Sequence, residues 1–240
     1  MPSNRLLGAL RPDDLGLLAP FLSHVPLPRG AILFEAGDDV TSCHFPCGGT
    51  MVSLIVALPD GSLAETATVG REGAIGGIVS MGHKPAFARA VVQIPGGALR
   101  IDSDRLEEMK GRSASLRDAL ARYADCMIAQ VLQSVACNVL HSLEPRFCRW
   151  LLTAQDRAGG NEVPLTQEFL AEMLGVQRTT VTAAATSLQA RGLISYSRGR
   201  ITVSDRAALE QAACGCHAAV VNHFESVLPG VYPIFASPER

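Results

Sequence analysis

The chain has 240 residues, room for one large or two modest domains, and at 48% hydrophobic it can bury real cores. Its formal net charge of −2 excludes a protein that is basic throughout, so any contact with nucleic acid has to come from a local patch. The N-terminal apolar run is too short for a signal peptide, and residues 51–58, the longest apolar stretch, fall far below a membrane span. A cytoplasmic protein with no membrane partner is expected. Its seven cysteines should then be mostly reduced, and an odd number cannot all pair internally.

Residues 1–24 read as a short helical lead, with Leu6, Leu7 and Leu10 followed by Leu15, Leu17 and Leu18. From Val25 the texture changes. Short β-type runs at residues 31–34, 51–58, 64–69, 88–94 and 98–101 alternate with turns built on Gly30, Gly37, Gly61 and Gly96. Strands at roughly ten-residue spacing with Gly, Pro and Asp punctuation predict a small antiparallel jelly roll or barrel.

At Asp102 the pattern returns to helix, first briefly through Met109 and then over residues 115–142 with no glycine or proline. A helix of that length spans roughly 40 Å. Its apolar positions, among them Leu116, Leu120, Tyr123, Met127, Val131, Leu132, Val135 and Val139, are too many for one contact face. One side is expected on the barrel and the other on a second copy of the chain, making a homodimer. Glu144-Pro145 then allows a bend, because a residue before proline avoids helix. A further amphipathic helix follows, carrying Phe147, Trp150, Leu151 and Leu152.

The stretch from Leu165 to Ile194 carries the sharpest signal. Thr166 is an N-cap type residue, and Phe169, Leu170, Met173 and Leu174 repeat at helical spacing. Gly175 supplies the positive φ of a C-cap, and a second helix starts near Gln177 with Val181, Ala184, Ala185 and Leu188 on one face. Two short helices around a glycine turn form the helix-turn-helix pattern. The second helix leaves Gln177, Arg178, Thr179 and Thr182 outside. Residues 192–203 read as strand, tight turn and strand, a wing with Arg198 and Arg200 at its tip. Arginines outnumber carboxylates eight to five over residues 146–206, with no lysine, a local excess of three positive charges that suits duplex DNA. Ser204-Asp205 caps a last helix expected from Arg206 to about Val227, and the proline-containing residues 228–240 are expected to be loosely ordered.

Jelly roll, long helix and winged helix-turn-helix together resemble the CRP/FNR family of bacterial transcription regulators, over roughly residues 6–209. The specific pieces are residues 165–201 and the PRGAILFEAGD stretch at residues 28–38. The resemblance implies an α+β fold with a cyclic-nucleotide-binding-like sensor barrel at residues 1–110, a dimerisation helix at 111–144 and a DNA-binding domain at 145–227. It also implies a homodimer that sets two recognition helices in successive major grooves, with RNA polymerase as a further partner if the protein activates transcription. The family's recognition helix reads S-R-E-T-V-x-R; here the run is Gln177-Arg178-Thr179-Thr180-Val181-Thr182-Ala183. Arg178 keeps the guanine-reading position, while Thr179 and Ala183 replace a Glu and an Arg, so the half-site should differ from the family's. Thr166, Thr180, Arg198 and Arg200 are assigned to phosphates.

The effector is less legible. In the family a Gly-rich turn with a Glu holds the ribose and an Arg-Ser pair holds the cyclic phosphate. The equivalent stretch here includes Gly73, Gly76 and Gly77, with Ala74 in place of the Glu, and then Lys84-Pro85 near the Arg-Ser pair and Arg89 beyond. Proline lacks both the hydroxyl and the N–H, which counts against classical cyclic AMP binding; glycines that only serve barrel turns are the favoured reading. No cysteine lies in residues 1–42, where FNR-type iron–sulfur sensors place theirs. Cys43 and Cys47 with His44, or Cys214, Cys216 and His217, could supply metal or redox chemistry. On a continuous helix, however, C-x-C would point its thiols apart, and Cys126, Cys137 and Cys148 read as core. A single His or Cys would suffice for haem, so the cofactor stays open. A cupin-like enzyme fails on ligand count, since residues 25–101 hold only His44 and His83, and no enzyme is expected. A regulatory barrel for a kinase or channel leaves the wing and Arg178 unexplained. A dimeric scaffold that has lost DNA binding is the remaining alternative.

Overall fold

The computed structural model describes residues 3–76, 84–197 and 199–235. The β-rich region forms two antiparallel sheets. One is ordered β1 (Ser23–Leu27), β7 (Gly96–Asp102), β3 (Ser42–Cys47); the other runs β2 (Ile32–Phe34), β6 (Arg89–Ile94), β4 (Met51–Ala57), β5 (Leu63–Val69). They share one core, in which Phe45 and Ile101 from the first sheet meet Val52 and Val92 from the second. Two strands escaped the sequence reading, β1 and β3, and both contain proline, at Pro26 and Pro46. They flank β7 as the outer strands of their sheet, where a missing N–H need not break a ladder.

The N-terminal lead is two short helices, α1 (Arg5–Gly8) and α2 (Pro12–Leu18), whose Leu6, Leu7 and Leu18 join the barrel core. Asn4 fixes the first of these. Its Oδ1 accepts from Leu7 N at 2.9 Å as an N-cap, while its Nδ2 donates to the Pro46 and Gly73 carbonyls.

After α3 (Ser103–Arg112), the long helix α4 runs from Ala114 to Leu140, capped by Ser113. Leu116, Leu120, Tyr123, Cys126, Gln130, Ser134 and Cys137 are buried along one side. On the other, Ile128, Leu132, Val135 and Val139 are 58%, 64%, 59% and 77% exposed, at the 4-3-4 spacing of a coiled-coil seam. The chain breaks at His141 and Ser142, both extended, and α5 (Leu143–Ala158) begins at once. The bend therefore falls two residues upstream of where Glu144-Pro145 suggested. Pro145 lies in the first turn of α5, where its absent N–H has no intrahelical partner to lose.

The C-terminal unit gathers α5, β8 (Glu162–Val163), α6 (Gln167–Leu174), α7 (Arg178–Ala190), β9 (Ile194–Ser197), β10 (Arg200–Val203) and α8 (Arg206–Ala212) around a second core containing Phe147, Leu170, Val181 and Leu209. The single last helix expected from Arg206 is two helices, α8 and α9 (Cys216–Val227). Ala213 is extended and Gly215, a poor helix former, precedes α9. The two halves answer to different cores: Leu209 packs in the C-terminal unit, Val220 and Phe224 in the barrel unit against α4. Residues 228–235 are likewise held, since Val231 and Tyr232 are buried there and Tyr232 meets Phe224 edge-on at 5.2 Å, while residues 236–240 lie outside the described residues. Residues 145–212 and the returning α9 with the residues after it therefore pack mainly in different cores.

Candidate nucleic-acid interface and its junction with the barrel

The local chemistry of α6 and α7 is what their residues prescribe. Thr166 caps α6 by accepting from Phe169 N at 3.2 Å, a bond of about 1 kcal/mol in typical helices. Gly175 closes α6 at φ 64°, and its N–H returns to the carbonyls of Ala171 and Glu172. Val181, Ala185 and Leu188 anchor α7 beneath. That leaves Gln177, Arg178, Thr179, Thr180, Thr182 and Ala183 exposed at its N-terminal end. Thr182 Oγ1 is within 2.9 Å of both the Arg178 carbonyl and Gln167 Oε1, tying the two helices together from the outside.

Arg178 reaches toward Glu168 of α6, 3.9 Å away across an exposed surface, a contact too long and too wet to hold it. No residue of α7 is acidic. In the wing, β9 and β10 pair in register from Arg200↔Ser197 to Val203↔Ile194, and β8 extends the sheet on the far side of β10. Arg200 is exposed with Nη1 3.3 Å from Glu162. Gly199 sits beside the Thr166 methyl, so the wing and the start of α6 adjoin. Arg198 lies outside the described residues. The surface formed by Thr166, the N-terminal half of α7 and Arg200 presents donors and no fixed counter-charge on α7 itself.

Sequence reasoning missed the junction behind this surface. Arg157, on α5, is fully buried and binds three elements of the other unit. Its Nε donates to Glu72 Oε1 at 2.7 Å, its Nη2 to Gln130 Oε1 of α4 at 2.7 Å, and its Nη1 to Thr68 Oγ1 of β5. Burial works against the guanidinium charge, but the Glu72 carboxylate outweighs it, and the Arg157 pKa is raised. Beside it, Trp150 Nε1 donates to Glu65 Oε1 at 2.7 Å; burial pushes the Glu65 carboxyl above its ordinary range. Asp156 accepts from Arg206 at 2.7 Å and pairs with His217 at 2.8 Å. A charged residue on an apolar helix carries no sequence mark that distinguishes a buried hub from a solvated side chain.

The expected effector residues scatter. Gly73 packs under Tyr123, where a Cβ would overlap the phenol ring, and Gly76 takes φ 91° against the Ser42 carbonyl. Lys84 is buried in an ion pair with Glu107, and Arg89 pairs with Glu35 at 2.7 Å. Gly77 lies outside the described residues. Between the second sheet and α4 opens a cavity of about 510 Å³ lined by Leu54, Val69, Ile75, Phe87, Met127 and Leu132 among others, with no charged side chain among its described lining residues.

The cysteines divide differently from the sequence reading. Cys43, Cys126 and Cys148 are core, and Cys47 Sγ faces the Phe45 carbonyl. His217 is taken by Asp156. Cys214 and Cys216 are not on one continuous helix, and their sulfurs come together with those of Cys137, read as core, and the imidazole of His141, all within 4.8 Å of one another.

A helix presented by a capped turn, flanked by a wing and mounted on a jelly roll through a long helix, defines a winged helix-turn-helix architecture. Residues 145–212 match the Crp-like helix-turn-helix domain. A CRP-like cAMP-activated global transcriptional regulator of Mycobacterium tuberculosis is 23% identical, over 85% of this chain and 94% of that protein. Among solved structures, FixK2 from Bradyrhizobium japonicum superposes with a TM-score of 0.69 at 15% identity, covering 80% of this chain and 98% of that one. A crp/fnr-family transcriptional regulator from Eubacterium rectale gives 0.64 at 19%, covering 86% and 96%. Residues 145–212 thus form a Crp-like helix-turn-helix domain, and over most of its length the chain is similar to transcription regulators of the CRP/FNR family. No helix among the described residues is long and apolar enough to cross a membrane.

Proposed function

We propose that two copies of this chain pair along α4 and read a near-palindromic DNA site with α7 of each copy. The observation that carries this reading is the exposed N-terminal end of α7: Gln177, Arg178, Thr179 and Thr182 project from a helix with no acidic residue, beside Thr166 and the wing. Arg178 has the bidentate fork that matches guanine O6 and N7, while Thr166, Thr180, Arg198 and Arg200 are assigned to phosphates. The row Ile128, Leu132, Val135 and Val139 is the seam, since an exposed apolar stripe of that spacing is satisfied by an identical helix.

The effector we infer for the cavity between sheet and α4 is apolar rather than a cyclic nucleotide. A cyclic phosphate needs a cation, and Lys84 and Arg89 are both engaged in ion pairs away from the lining.

The test is selection of the purified protein, with no added ligand, against random-sequence duplexes at physiological salt. Enrichment of a two-fold symmetric site is expected. Failure to enrich any sequence, alone and with apolar ligands, cyclic nucleotides or zinc added, would overturn the DNA-reading assignment.

A further inference from the structure

The four side chains Cys137, His141, Cys214 and Cys216 play no part in reading DNA, and their arrangement has a chemistry of its own. Cys137 and His141 stand one turn apart at the C-terminal end of α4 and so share a face. Cys214 and Cys216 bracket the glycine between α8 and α9, where the chain leaves helix and can turn both sulfurs the same way. Cys137 Sγ and Cys214 Sγ are 3.5 Å apart, Cys216 Sγ and His141 Nδ1 are 3.5 Å apart, and all four donor atoms lie within 4.8 Å of one another.

We propose that these residues form a tetrahedral Cys3His site for zinc. Ligands at 2.3 Å for sulfur and 2.0–2.1 Å for nitrogen around a tetrahedral centre stand roughly 3.5–3.8 Å from each other, a range that the Cys137–Cys214 and Cys216–His141 pairs already meet. Thiolates with an imidazole select a borderline-soft ion over magnesium or calcium. Four protein ligands leave no open position, so the site is structural and not catalytic. The surroundings suit it as well. Gln133 Nε2 lies 3.0 Å from Cys216 Sγ and donates to it, as an outer partner of a ligating thiolate does. Three thiolates on a dication leave one net negative charge, and the charges of Arg146 and Arg149 reach the cluster from α5. The Nε atoms of both arginines are buried without a hydrogen-bond partner.

The placement gives the ion a defined task. One ligand pair precedes residue 142 and the other follows residue 213, so the winged unit at 145–212 leaves and re-enters the rest of the chain at this point. A zinc here clasps the root of the DNA-binding unit to the end of the long helix and fixes the extended break at His141–Ser142.

The experiment uses the full chain, reduced and metal-stripped, titrated with Co2+ and then Zn2+. Expected are one equivalent per chain, the ligand-field bands of tetrahedral cobalt with a thiolate charge-transfer band, and their loss on displacement by zinc. His141→Gln and Cys214→Ser replace exposed and half-buried ligands; each is expected to weaken binding about tenfold or more, with the far-ultraviolet circular dichroism unchanged. Cys47→Ser, outside the cluster, should bind as the wild type does. Absence of a stoichiometric tetrahedral cobalt spectrum in the reduced wild-type protein, or a spectrum that survives both ligand substitutions, overturns the proposal. So does a reduced protein that, offered zinc together with oxidised glutathione, forms a Cys137–Cys214 disulfide, releasing two equivalents of reduced glutathione, in preference to taking up zinc.

Discussion

Arg157 of the DNA-binding unit and Glu72 of the barrel, 85 residues apart in the chain, meet at 2.7 Å with neither side chain more than 1% exposed. Nothing in water replaces either charge once the other is gone. The pair is therefore the point at which the two units are most tightly committed to each other, with Gln130 of α4 bound to the same guanidinium.

Breaking this pair from one side should be costly. Arg157→Met or Glu72→Gln is expected to lower stability by about 3–5 kcal/mol, because a buried group is left uncompensated, whereas Arg157→Met with Glu72→Met together should cost less than the two single changes added. Trp150, the only tryptophan, bonds to Glu65 at the same junction, so its fluorescence during urea titration reports undocking directly.

Substitutions on the DNA face should separate reading from holding. Arg178→Ala is expected to lose about 1–3 kcal/mol of discrimination at one guanine per half-site and little on random DNA. Arg200→Ala should weaken all sequences alike and reduce the salt dependence by about one counterion per protomer. Binding isotherms on the selected site and on random duplex, each at several salt concentrations, distinguish them; equal losses on both DNAs from Arg178→Ala would remove its base-reading role.

Leu132 lies in the middle of the exposed α4 row. Leu132→Glu is expected to leave the fold intact and convert a dimer into a monomer at micromolar concentration, read by sedimentation velocity. Affinity for a symmetric site should fall with it, since half-sites would then bind independently.

His44 should make stability depend on pH. Burial, reinforced by the charge of Arg100, brings its pKa down from 6.5 to about 4, so the unfolded chain takes up a proton there before the folded chain does. Stability from this group is complete above pH 6.5 and falls as pH drops toward 4. Glu65, raised above 4.5, works in the opposite direction, and Asp14 and Asp156, held below 3.8, act only in stronger acid. Comparing thermal unfolding of wild type and His44→Gln at pH 7 and pH 5 isolates the effect: the wild type should lose more between the two.

The surface proposed to read DNA was legible because its rules are local. Thr166 as a cap, Gly175 in the left-handed region and the spacing of Val181, Ala185 and Leu188 each depend on neighbours within a few residues. The length of α4 was legible for the same reason, there being no breaker within it. What lay beyond reach was built from distant partners. Nothing near Arg157 in sequence announces Glu72, and Cys137 in an apolar helical run looks like any buried thiol until the α8–α9 connection brings Cys214 to it. The break between those two helices is itself non-local, because it follows from Leu209 and Phe224 belonging to different cores.

The two outer strands of the three-stranded sheet, β1 and β3, carry Pro26 and Pro46. Each proline deletes one donor from the row of backbone groups that a free strand would otherwise offer to another molecule's strand. A stray chain attempting to extend this sheet meets an interrupted template on both flanks. Strand addition is thus disfavoured at the β1 flank of this sheet, and at the β3 flank the outward backbone groups of His44 are already bonded to Ile75.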